Sequence, residues 1–125
     1  SQLNAGELGA QRPETGPVEL RRASLSAMTE VVRRLAVGAT DVIFGHTHRA
    51  GPQGDDVRWE WTAGRSQLLN TGCWVYEPAF VGRSPSRSPY RPGFCALLDD
   101  SGPPQLVNLL DSRPPARGPA PPGRE

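Results

Sequence analysis

The chain has 125 residues, with 14 arginines, no lysine and 13 carboxylates, for a formal net charge of +1. That nearly neutral balance argues against a nucleic-acid binder that works by neutralising phosphates, which needs a basic face. Glycine and proline contribute 14 residues each and only 36% of the chain is hydrophobic, so at most one domain is expected, with a core that is small or shared with a segment outside the chain.

No apolar run approaches the roughly 18–20 residues of a membrane span. Two cysteines, Cys73 and Cys95, form no disulfide framework and no CxxC pair; free, partly buried thiols and a cytoplasmic, reducing location are expected. The chain opens at Ser1-Gln2-Leu3 without a methionine, and a piece of a longer protein is expected.

Residues 1–22 are polar, broken by glycine and proline, and without a sustained period, which predicts loop, linker or insertion. Leu25, Met28, Val32, Leu35 and Ala36 then form one helical stripe. Ser24 or Ser26 is the expected N-cap, Arg33 and Arg34 suit the last turn, and Gly38 is expected to close the helix in a left-handed conformation. Val42-Ile43-Phe44 is a short continuous apolar run, which predicts a strand buried on both faces in a layered α/β arrangement. Val57, Trp59 and Trp61 alternate with Arg58 and Glu60 and predict a half-buried strand to Thr62. Shorter strands are expected at 67–69 and 74–76. An exposed loop is expected between Gly82 and Pro92. A hairpin is expected from 94–98 and 106–110 through the Asp-Ser-Gly-Pro turn between them. Residues 112–125 carry five prolines and no hydrophobe larger than alanine, which predicts a disordered tail.

Both histidines of the chain stand in Gly45-His46-Thr47-His48, directly after the apolar strand. In an extended segment residues i and i+2 share a side, so the two imidazoles can converge on one metal or on two. Open α/β sheets bind ligands beyond the carboxyl ends of their strands, and Gly45 is placed to let the chain turn sharply there. The alternative is a pair of exposed histidines on a turn.

Val42-Ile43-Phe44-Gly45-His46-Thr47-His48-Arg49 resembles the last conserved block of the calcineurin-like metallophosphoesterases, in which an apolar strand runs into a Gly-His-x-His loop. Asn70-Thr71-Gly72 resembles the Asn-x-Gly turn that follows in that family. The resemblance covers roughly residues 24–110. It implies that residues 23–111 are the C-terminal part of a four-layer α/β/β/α sandwich carrying two divalent metal ions (manganese, iron or zinc). It further implies a hydrolase acting on phosphate mono- or diesters, with His46 and His48 as metal ligands. Arg49, directly after the pair, is a candidate contact for substrate phosphate, with a free, solvated loop arginine as the alternative.

The earlier Asp-x-His, Gly-Asp-x-x-Asp and Gly-Asn-His blocks of the family are missing from this sequence, and Gly54-Asp55-Asp56 does not substitute for them. Two histidines alone hold a metal weakly, since carboxylates supply most of the charge compensation. The expected partner is therefore the N-terminal half of the same domain, besides a small phosphoester substrate, and the isolated chain is expected to be inactive. The alternative is a non-enzymatic scaffold or binding module that keeps the fold without the catalytic shell.

Overall fold

A proline at the first helical position wastes no N–H, and a carboxylate in the first turn complements the helix dipole. Gly16-Pro17 and Glu19 supply both signals. In the computed structural model, which describes residues 16–111, helix α1 runs Pro17–Arg34 with Gly16 as its N-cap. The linker expected over residues 1–22 thus gives way to helix from Pro17, and Ser24 and Ser26 lie within it rather than capping it. Residues 1–15 and the tail expected at 112–125 lie outside the described residues.

The apolar stripe of α1 holds where it meets the sheet. Leu25 and Val32 are buried, with Met28 packed beside them. It fails at its end, where Leu35 is the C-cap and 71% exposed. The left-handed closing residue is Ala36, with φ 48°, instead of Gly38. Val37 N–H donates to the Val32 carbonyl at 3.0 Å and Ala36 N–H to that of Arg33 at 3.2 Å, a Schellman closure. That closure swings Val37 onto the core beside Val32, and the apolar contact offsets the roughly 1–2 kcal/mol cost of a left-handed alanine.

Four strands form a mixed sheet: β1 (Asp41–Phe44), β2 (Ala50–Gly51), β3 (Thr62–Ala63) and β4 (Ser66–Thr71). Strand β4 is central. Along one edge β1 pairs in parallel, Asp41 opposite Gln67 and Phe44 opposite Asn70. Along the other edge β3 and β2 pair antiparallel, with Ala63 opposite Ser66 and Gly51 opposite Asn70. Gly64, at φ 62°, opens the two-residue turn between β3 and β4. A separate antiparallel hairpin joins β5 (Phe94–Leu97) to β6 (Gln105–Asn108), as the sequence pattern predicts. Leu25, Val32, Trp61, Ala63 and Leu68 make the core between α1 and one face of the sheet. The class is α/β.

Three expected strand features change. Residues 58–61 form a 3-10 turn, with only Thr62 carried into β3. A strand would send Glu60 and Trp61 to opposite faces, yet both are buried and both are held against α1. The segment expected as a strand at 74–76 is an exposed turn, tied down by the Trp74 indole N–H donating to the Phe94 carbonyl at 2.9 Å. Finally, β1 is not buried on both faces. Ile43 is 38% exposed, and among the described residues β1 pairs only with β4, which leaves its other edge open.

Charge pairing fastens the N-terminal half of α1 to the 3-10 turn. Arg21 and Arg22 donate to the two carboxylate oxygens of Glu60 at 2.7 and 2.9 Å, and Arg21 also reaches Asp56 at 3.4 Å. The Arg22 hydrogen bond, helped by Arg21 and opposed by burial, holds the Glu60 carboxyl below its usual range. A depressed folded pKa contributes stability above the unfolded value, about 4.3 for glutamate, and that stability is lost as pH falls through the folded value. We therefore expect the unfolding-midpoint difference between wild type and Glu60→Gln to be largest near neutrality and to shrink as pH falls below about 4, measured by urea denaturation at stepped pH. A difference that stays constant from pH 7 to pH 3 counts against an ionised Glu60 in the folded state.

Candidate functional site

Strands β1 and β2 flank β4 on opposite edges, so the five residues between them must cross the carboxyl end of β4. The crossing decides the backbone of the histidine segment. It is bent, with His46 at φ 80° and His48 at φ 61°, where an extended segment with Gly45 as the turning residue was expected. The chain has to reverse its course within the Gly-His-Thr-His run, and the two histidines carry the reversal. Left-handed non-glycine residues cost of order 1–3 kcal/mol each and persist only where the surroundings enforce them.

The enforcement comes from the end of β4. Asn70, buried among the largest enclosed side chains, donates from Nδ2 to Thr47 Oγ1 at 2.6 Å and accepts the Gly72 N–H on Oδ1 at 2.9 Å. Thr71 Oγ1 donates to the Phe44 carbonyl at 3.3 Å. Gly72 has φ 71°, and a Cβ there would press on Ala50 at 3.0 Å, so glycine is required on both grounds. The Asn-x-Gly turn and the Gly-His-x-His loop are thus one hydrogen-bonded unit. Asn70→Ala removes both of its bonds and leaves the half-buried Gly72 N–H and Thr47 hydroxyl without these partners; a loss of about 1–3 kcal/mol is expected, read from the urea midpoint. An unchanged midpoint would show that the clamp contributes nothing.

Clamping Thr47 inward turns the two histidines outward, and both are exposed. The His48 ring meets Phe80 edge-on, centroids 6.2 Å apart at 79°, and Phe80 stacks on Tyr90 at 5.7 Å and 23°. Phe80 belongs to the short helix α2 (Pro78–Val81). The loop expected between Gly82 and Pro92 is exposed over residues 82–87 but contains a 3-10 turn and buries Ser88. Its Pro89 carbonyl accepts the Ala50 N–H at 2.8 Å, which ties it to the end of the histidine loop.

Arg49 does not project toward the histidines as a free cation. Its guanidinium donates to both Asp56 oxygens at 2.9 and 2.8 Å and lies 5.8 Å from the Trp61 ring centre. Both partners are enclosed, with side-chain exposures of 14% and 2%. Contact with a substrate phosphate would require breaking this fork. Asp56 is thereby committed to Arg49 and Arg21 and is no stand-in for a metal-binding carboxylate.

Among the described residues no group of three or more histidines, cysteines, aspartates or glutamates is placed to hold a metal ion. The residues present therefore do not fit a dinuclear centre by themselves, although each histidine offers one imidazole. Cys73 and Cys95 are both free and half-buried. Spacing could not reveal the aromatic wall of Phe80 and Tyr90, because it stands more than thirty positions from the histidines and nothing in its local sequence ties it to them. No helix among the described residues is long and apolar enough to cross a membrane. No protein-family model matches the chain, and no curated protein or solved structure is significantly similar to it.

Proposed function

We propose that this chain is the C-terminal part of a metal-dependent phosphoesterase, a four-layer α/β/β/α sandwich of the calcineurin-like kind, to which it contributes His46 and His48 as metal ligands. One observation carries the reading: two outward imidazoles in an enforced left-handed loop at the carboxyl end of a parallel strand, locked by Asn70. Backbone strain retained at an exposed polar loop is characteristic of functional sites.

The remaining ligands, and a strand to pair with the open edge of β1, come in this reading from a preceding segment of the same domain. The open edge and the exposed Ile43 support it. Arg49 then acts through the loop it anchors, its guanidinium being held by Asp56. Substrates are phosphate mono- or diesters and the ions are manganese, iron or zinc. The alternative, a scaffold without catalysis, draws on the lack of a carboxylate cluster among the described residues.

The test is hydrolysis of para-nitrophenyl phosphate and its bis-ester with added manganese, by the full-length protein that contains this chain and by residues 1–125 alone. Activity in the former and none in the latter is expected. Robust activity of residues 1–125 alone, or none in either under any divalent metal, overturns the reading.

A further inference from the structure

Arg49, the last residue of the histidine loop, borders a solvent-open cleft of about 440 Å³ lined otherwise by the first turns of α1 and the segment from Phe80 to Tyr90. Its size falls within the roughly 300–1,000 Å³ of small-molecule sites. Among the described residues four arginines line it, Arg21, Arg49, Arg83 and Arg87, and no carboxylate does. The charges of Arg21 and Arg49 are met by Asp56 and Glu60 behind the wall. Arg83 and Arg87 are exposed and make no ion pair among the described residues. The wall also carries the stacked rings of Phe80 and Tyr90, and Phe80 is the ring that His48 touches.

Two guanidinium forks without an ion-pair partner among the described residues, beside an aromatic surface, recognise a particular kind of ligand. Guanidinium groups pair bidentately with phosphate oxygens, and flat apolar bodies lie against aromatic walls. We propose that this cleft binds the phosphate of a small aromatic or similarly planar phosphate-bearing molecule, with Arg83 and Arg87 as the anion-recognising residues. Binding stands on the cleft's own residues. Its service as the specificity pocket of the histidine site rests on the phosphoesterase reading above, which then favours substrates carrying a second phosphate on a planar body.

The probe is phenyl phosphate, titrated into the chain in buffer with EDTA and followed by NMR shifts of Phe80, Tyr90 and the arginine side chains. Saturable binding is expected. The exposed double variant Arg83→Gln, Arg87→Gln should weaken it by about 10-fold or more, since a charge-assisted hydrogen bond is lost at each position. The charge-matched variant Arg33→Gln, Arg34→Gln, at the far end of α1, should leave it unchanged. Equal affinity in the cleft variant, or an equal loss in the control, overturns the proposal. His46→Ala separates the two readings: it should leave phenyl phosphate binding intact without metal. If the full-length protein shows no metal-dependent hydrolysis while the cleft variant still loses binding, the phosphoesterase reading falls and the anion cleft stands.

Discussion

On the proposed phosphoesterase reading, alanine at His46 or His48 in the full-length protein should lower metal-dependent phosphoester hydrolysis by about 100-fold or more, because each substitution would remove a ligand from the proposed two-ion clamp. Losing a ligand also weakens metal occupancy, so the manganese concentration for half-maximal activity should rise together with the fall in turnover. Folding should suffer little, since both rings are exposed. Alanine fits the left-handed conformation no better than histidine, so the loop geometry must still be enforced by Asn70. Thr47→Ala is the informative contrast. Its hydroxyl faces Asn70 and not the solvent side of the loop, so the expected cost is about 1 kcal/mol of stability with far less effect on turnover. A full-length His46→Ala, His48→Ala double variant as active as wild type would overturn the enzymatic reading and leave the pair as loop residues of a scaffold.

Trp61→Ala should cost about 3–5 kcal/mol, the range for deleting a large aromatic from a core. Trp61 is the largest fully enclosed side chain and belongs to the same cluster as Leu25, Val32 and Leu68. Its ring lies so close to Gly51 that a side chain there would collide with it, and Arg49 leans over it from the histidine loop. No hydrogen bond is lost, because the indole N–H has no partner among the described residues. The loss is therefore packing, and Trp61→Phe should recover much of it. Against a typical domain stability of about 5–15 kcal/mol, the alanine variant should be close to unfolding at room temperature. Urea midpoints for the two variants decide the matter, and a loss below about 1 kcal/mol in Trp61→Ala would mean the ring does not organise the core.

Local sequence determined the elements whose own chemistry suffices. The stripe through Leu25, Met28 and Val32 is helical by period, and the apolar run 42–44 is a strand. The Asp-Ser-Gly-Pro connection makes a hairpin, because these patterns bury one face whatever the neighbours. The pairing of the two histidines and the Asn70–Gly72 turn were also legible as motifs. What they do to one another was not. That Asn70 reaches across to Thr47 depends on β1 and β2 flanking β4, pairings whose partner residues stand 19 to 26 positions apart. The same holds for the turn at 58–61, where alternation favours a strand but Arg21 and Arg22 draw Glu60 toward α1 and Trp61 must fill the core. It holds as well for Arg49, whose place beside the histidines suggested a free cation until Asp56 was brought against it. Propensity and spacing act over a few residues, whereas burial and charge pairing are satisfied by whichever distant groups the topology brings together, and only the folded chain selects them.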